Sequence, residues 1–203
     1  MISAHKALEL LQEGNKRFVS DVQGGSTQPH GKRRRKLVAG QAPFAIILGC
    51  SDSRVPAEII FDQGLGDLFV IRVAGNIVAP SQIGSVEFAA ERFGTRLVVV
   101  LGHSMCGAVL ATLEELERPS EHRSPNLRSI VDRIRPAVET LMKNNLQWER
   151  EKLIHHAVRA NIRESVNQLR HGSQILEQLT EKSRLLIVGA EYSLETGKVD
   201  FFD

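Results

Sequence analysis

An α/β fold is predicted: a central, mainly parallel β-sheet flanked by helices, with an N-terminal helical arm. Three observations predict it. Four short apolar runs, at 44–48, 68–71, 97–101 and 185–188, are continuous rather than alternating and rich in Val, Ile and Leu. Strands read this way when helices cover both faces of a parallel sheet. Helical patterns separate the runs, and strand–helix alternation implies right-handed crossovers. The length, 203 residues, suffices for one domain with a sizeable core.

The elements follow in chain order. Ala7, Leu8, Leu11 and Phe18 mark a helix expected to dock on a neighbour. Gly24-Gly25-Ser26 reads as a loop, and Arg33-Arg34-Arg35 between Lys32 and Lys36 as a solvated helix face rather than a dock for an anionic partner. After the first run, 56–61 is a short helix with proline near its start, a favoured place. The segment 80–93 carries Ile83, Val86 and Ala90 at helical spacing, and 107–117 follows the third run as a helix. The region around 119–125 reads as a loop. Beyond it, Leu127, Ile130, Val131, Ile134, Val138 and Leu141 recur at three- and four-residue steps, with Pro136 expected to kink or break the pattern. Val158, Ile162, Val166 and Leu169 define another amphipathic helix, ending at His171-Gly172. No repeat and no linker divides the chain. It reads as a single domain over 1–203, with an arm at 1–40 and a core at 41–203.

Composition excludes several classes. Hydrophobic residues at 42% and charged residues at 25% fit a folded protein rather than a disordered one. A net charge of +2 is too small to argue for nucleic acid. No apolar stretch approaches the ~20 residues that cross a bilayer. With no secretory signal behind Met1, reduced thiols in a cytoplasm are expected.

The chemistry concentrates in two motifs that hold the only cysteines, Cys50-Ser51-Asp52-Ser53-Arg54 and His103-Ser104-Met105-Cys106. Both begin just past the end of a predicted parallel strand, where open α/β sheets place ligands. Two thiols and an imidazole are zinc ligands, and a catalytic zinc keeps three protein ligands and one open position. Cys106 falls near a helix start, which favours the thiolate. Taken singly, each residue is more simply a buried core cysteine or a structural histidine; their joint placement favours metal. A Cys50–Cys106 disulfide stays open as a rival, as does a structural zinc site closed by Asp52. Arg54 is placed to hold the Asp52 carboxylate off the metal, where it accepts a hydrogen bond from the nucleophile. His155-His156 is discounted as a metal pair because adjacent helix residues diverge, and Trp148 reads as helix packing.

The stretch from Cys50 to Glu58, then Arg72-Val73-Ala74-Gly75-Asn76, then Gly102 to Gly107, together with Gly189 to Val199, closely resembles the β-class carbonic anhydrases. The resemblance spans nearly the whole chain. It implies one Zn2+ per chain on Cys50, His103 and Cys106, with Asp52–Arg54 as a catalytic dyad and Asp52 a fourth ligand only in a closed state. It further implies a pocket for carbon dioxide and bicarbonate: Gln41 as a hydrogen-bonding residue, Phe69 as an apolar wall, Gly107 as a backbone donor, and Phe88 as an aromatic contributed by a partner subunit. A homodimer pairing into a tetramer is implied, with the N-terminal helix wrapped over the neighbour. So is the reaction, reversible hydration of carbon dioxide. A related hydrolase acting on carbon disulfide or carbonyl sulfide, and a non-enzymatic zinc- or redox-sensing module, are the alternatives. A second, non-catalytic bicarbonate site in some members uses a tryptophan, an arginine and a tyrosine. Arg72 and Tyr192 match it, but Ile47 replaces the tryptophan, which favours an open site.

Overall fold

The computed structural model describes residues 2–21, 30–118, 124–144 and 147–202. Along the chain lie α1 (Ala4–Val19), α2 (His30–Leu37), β1 (Ala45–Gly49), α3 (Ala57–Ile60), β2 (Leu68–Arg72), a 3-10 turn (Ala74–Asn76), α4 (Pro80–Arg92), β3 (Leu97–His103), α5 (Gly107–Glu117), α6 (Pro125–Asn144), α7 (Arg150–His171), α8 (Gln174–Glu181), β4 (Leu186–Tyr192) and β5 (Val199–Phe202). The strands form one sheet in the order β2-β1-β3-β4-β5, parallel except for β5. The chain steps one way from β1 to β2 and the other way to β3, so the switch point falls between the carboxyl ends of β1 and β3.

Both faces of the sheet are covered, which is why β1 and β3 are buried along their whole length. On one face α4 to α8 pack over Ile46, Leu48, Val98, Val100 and Ile187. On the other, α1 and α3 cover Ala45, Ile47, Val99, Leu101 and Ala190. No helix among the described residues is long and apolar enough to cross a membrane.

Within this chain the N-terminal helix packs on the α3 face. Ala7 and Leu11 are buried there, and the carboxamide of buried Asn15 donates to the Ile60 and Gly197 carbonyls and accepts from the Val199 N–H. Two sequence expectations change. Pro136 does not end its helix: α6 runs through it. Its ring is exposed, so the backbone carbonyl that loses an N–H partner there faces water. Pro125 opens α6 rather than closing a loop; residues 119–123 and the Gly24-Gly25-Ser26 loop lie outside the described residues. Arg33, on the basic helix α2, donates to the Leu65 carbonyl and pairs with Asp67, which anchors that helix to the core.

Candidate metal centre

Cys50, His103 and Cys106 meet at the switch point. Cys50 follows β1 directly, His103 is the last residue of β3, and Cys106 is the N-cap of α5. Their donor atoms lie within 4.8 Å of one another, and they are the only such group among the described residues. The two sulfurs are 4.0 Å apart. Sulfurs 2.3 Å from a tetrahedral zinc are separated by about 3.8 Å, so the pair is spaced for a shared ion.

The imidazole supplies the sharper test of fit. His103 is fully buried. Its Nδ1 lies 2.9 Å from the Ser104 carbonyl, an acceptor, so Nδ1 carries the proton. Nε2 is then a bare lone pair, and it has no hydrogen-bond partner among the described residues. A buried acceptor without a donor is costly; a divalent cation removes that cost. The second-sphere carbonyl that fixes the tautomer is the usual companion of a ligating histidine.

The thiols are differentiated. Cys50 is pulled down from the ordinary thiol range, first by the Cys106 S–H facing it and further by backbone N–H groups including that of Gly75, which lies 3.4 Å from Cys50 Sγ. Cys106 is pushed up, because it gives its proton to Cys50 and is deeply buried. The pair thus favours one thiolate before metal arrives, and the helix start beneath Cys106 favours the second once a cation is present.

Asp52 and Arg54 form a turn. The Arg54 N–H donates to Asp52 Oδ1 at 3.0 Å, which bends the backbone. The guanidinium then grips both carboxylate oxygens, Nε to Oδ1 at 2.9 Å and Nη2 to Oδ2 at 2.7 Å. This grip holds Asp52 well below the usual carboxylate range. Oδ2 lies 3.8 Å from His103 Nε2, so the carboxylate borders the donor cluster while bound to arginine.

The loop is held from behind. Arg72 donates to the carbonyls of Cys50 (2.9 Å) and Asp52 (2.6 Å). On the other side, α7 rivets the 3-10 turn: Asn161 donates to the Gly75 carbonyl and Ser165 to that of Asn76. Between them Ile162 packs on Gly102 and Gly189, where a Cβ would come within 2.5 Å and 2.9 Å of its side chain. Sequence reasoning missed Asn161, Ser165 and the clamping role of Arg72; polar residues inside an amphipathic helix pattern were the available signal.

The remaining pocket residues separate. Gly107 opens α5 beside Cys106. Gln41 precedes β1 and is exposed. Phe69 is in register with Ile46, four residues before Cys50 and so about 13 Å along the strand from it. Phe88 stacks on Phe69 and Phe93, at 6.3 and 5.5 Å between ring centroids, and is 53% exposed. Within one chain these three do not meet the cluster, because they lie toward the amino edge of the sheet. Ile47 is fully buried and Tyr192 nearly so, while Arg72 is committed to the loop carbonyls. His155 and His156 meet edge to face, 5.3 Å between ring centroids, but their outer contacts differ: His155 lies 3.8 Å from Glu191 and His156 packs on the Trp148 ring at 4.5 Å.

A parallel α/β sheet with two thiols and an orphaned imidazole nitrogen at its switch point defines an α/β protein built around a metal-binding centre. The carbonic anhydrase family profile matches residues 45–199. A carbonic anhydrase of Mycolicibacterium smegmatis is 40% identical over 194 residues, 96% of this chain and 91% of the relative. Carbonic anhydrase 2 of Mycobacterium tuberculosis is 38% identical, covering 95% and 89%. The solved structure of the β-carbonic anhydrase CcaA superposes with a TM-score of 0.76 at 28% identity, covering 98% of this chain and 87% of that one. The chain belongs to the β-carbonic anhydrase family and is an enzyme of that class.

Proposed function

We propose that this chain catalyses the reversible hydration of carbon dioxide to bicarbonate and a proton, with one zinc held by Cys50, His103 and Cys106. The observation that carries the reading is the buried His103 Nε2, a lone pair without a protein donor within 4.8 Å of two sulfurs. Zinc in such a site is a Lewis acid that acidifies water and supplies a nucleophile at neutral pH.

The chain's own residues do the rest. Asp52, kept ionised by Arg54, accepts a hydrogen bond from the attacking water and aims its lone pair at the substrate carbon. Arg54 keeps that carboxylate from swinging inward, which supports an open site. Arg72 fixes the backbone that carries both Cys50 and Asp52. The Gly107 N–H, unpaired in the first turn of α5, donates to the developing bicarbonate.

Gln41, Phe69 and Phe88 complete the pocket when a second copy carries them over this chain's centre. The exposed Phe88 and the distance of these residues from their own cluster support a homodimer; its pairing into a tetramer belongs to the same reading. The unlinked thiols suit a reducing, cytoplasmic compartment.

The test is elemental analysis with stopped-flow hydration assays. About one zinc per chain and rapid acidification of carbon dioxide solutions are expected, with both lost in Cys50→Ala. Folded, zinc-loaded protein that is inactive up to alkaline pH would refute the reading.

A further inference from the structure

The turn between His103 and Cys106 is not self-supporting. Met105 sits at φ 55°, a left-handed conformation that costs a residue with a Cβ about 1 kcal/mol or more and persists only where the surroundings hold it. The carbonyl that fixes the His103 tautomer belongs to Ser104, the residue just before that strained position.

Ser104 is tied to the β4–β5 hairpin twice. Its N–H donates to the Tyr192 carbonyl at 2.9 Å, continuing the β3–β4 ladder one step past His103. Its Oγ accepts the Leu194 N–H at 3.0 Å. Leu194 lies in the hairpin turn, which is closed by Ser193 N–H to the Lys198 carbonyl and by Gly197 N–H to the Ser193 carbonyl, each at 2.9 Å. The first tie uses backbone alone and survives every substitution but proline. The second needs a hydroxyl. A neutral imidazole has one donor and one acceptor nitrogen, and whichever nitrogen meets a fixed acceptor becomes the donor.

We infer that Ser104 is a positioning residue: its hydroxyl locks the Ser104 carbonyl to the hairpin, and that carbonyl presents His103 to the metal as the Nδ1–H tautomer with Nε2 free. The inference rests on the zinc reading above only for the metal half of its test.

The test compares Ser104→Thr with Ser104→Val, side chains of equal shape that differ in the hydroxyl. The ring nitrogens of His103 are read by 15N NMR in metal-free protein, and zinc release to a chelator is timed in loaded protein. Wild type and Ser104→Thr are expected to show a single Nδ1–H tautomer. Ser104→Val is expected to populate both tautomers and to release zinc about 10-fold faster, the lower end of what loss of an outer-sphere partner costs. Circular dichroism reports whether each variant folds, and Ser104→Ala replaces Ser104→Val if the larger side chain does not. A folded hydroxyl-free variant with one Nδ1–H tautomer and the wild-type release rate overturns the inference, as does an Nε2–H tautomer in the wild type. If the wild type takes up no zinc, the zinc reading fails, while the tautomer measurement still decides the role of Ser104.

Discussion

Replacing Gly14 by alanine separates local propensity from tertiary packing. Gly14 lies inside α1, where alanine is the better helix former by about 1 kcal/mol. On propensity alone Gly14→Ala stabilises. In the fold, a Cβ at this position would sit 1.8 Å from the Phe61 carbonyl oxygen and 2.7 Å from its carbon. That neighbour is backbone and cannot rotate away. Ordinary contact needs at least 3.4 Å, so α1 must retreat by about 1.6 Å or undock. A shift of that size breaks the three Asn15 hydrogen bonds to Ile60, Gly197 and Val199, which are 2.9–3.2 Å long; each is worth about 1 kcal/mol. It also uncovers part of Leu11, whose full burial is worth about 2 kcal/mol. Set against the helix gain of about 1 kcal/mol, the net loss is about 3 kcal/mol. For a chain of this length that lowers Tm by about 6–12 °C. Thermal unfolding followed by circular dichroism, wild type against Gly14→Ala at matched zinc, measures it. An unchanged or higher Tm would mean that α1 does not pack on α3 as described.

Other outcomes follow from the site and its surroundings. Asp52→Asn removes the charge and one of the two acceptor oxygens, leaving an NH2 donor facing Arg54 or the attacking water, and should lower kcat/KM about 100-fold or more with zinc content unchanged; equal kcat/KM values would remove Asp52 from the mechanism. Because Arg54 depresses its pKa, Asp52 stabilises the fold above the ordinary carboxylate range and loses that contribution as pH falls below it. Wild type should therefore weaken more steeply than Asp52→Asn on acidification below about pH 4, by a small amount since the pair borders solvent. Glu191 is the opposite case: burial raises its pKa despite His155 and Arg159, so its contribution fades as pH rises through that value. Denaturant titrations of Glu191→Gln should show a flatter pH dependence on the acid side of neutrality than wild type does, and parallel curves would contradict the assignment. Phe88→Asp should shift the species seen by analytical ultracentrifugation toward folded monomer and cut turnover per zinc; a fully active monomer would refute pocket completion by a second copy.

Much of the fold was legible because continuous apolar runs mark parallel strands. The starts of β1 to β4 lie within a residue of the predicted runs, as do the ends of β1 and β2. The other two run on: β3 extends through Gly102-His103 and β4 through Gly189 to Tyr192, residues chosen for the site and for helix contact rather than for hydrophobicity. The Cys50, His103 and Cys106 cluster was legible because ligand-type residues followed strand ends. Helix α8 was not read, since its apolar face, Ile175, Leu176 and Leu179, spans only about two turns, too short a run to establish a helical period. The packing of α1 within the chain was not legible because Ala7 and Leu11 reveal an apolar face but not which surface covers it; buried Asn15, through its hydrogen bonds, and Arg17, paired with Asp62, make that contact specific. The wide separation of Phe69 from Cys50 was invisible to motif matching, which carries roles but not distances.

The lane formed by Gly102, Gly189 and Ile162 has a practical consequence. It lets α7 lie against the sheet closely enough for Asn161 and Ser165 to reach the turn whose amide meets Cys50. Residues scattered from 75 to 189 thus behave as one mechanical unit. Recombination with a relative should tolerate crossovers before the turn or after β4 and fail between them, unless both halves bring the same pair of glycines and the same isoleucine. Thermal selection on this chain should likewise leave the exposed face of α7 free to change while its inner row stays fixed.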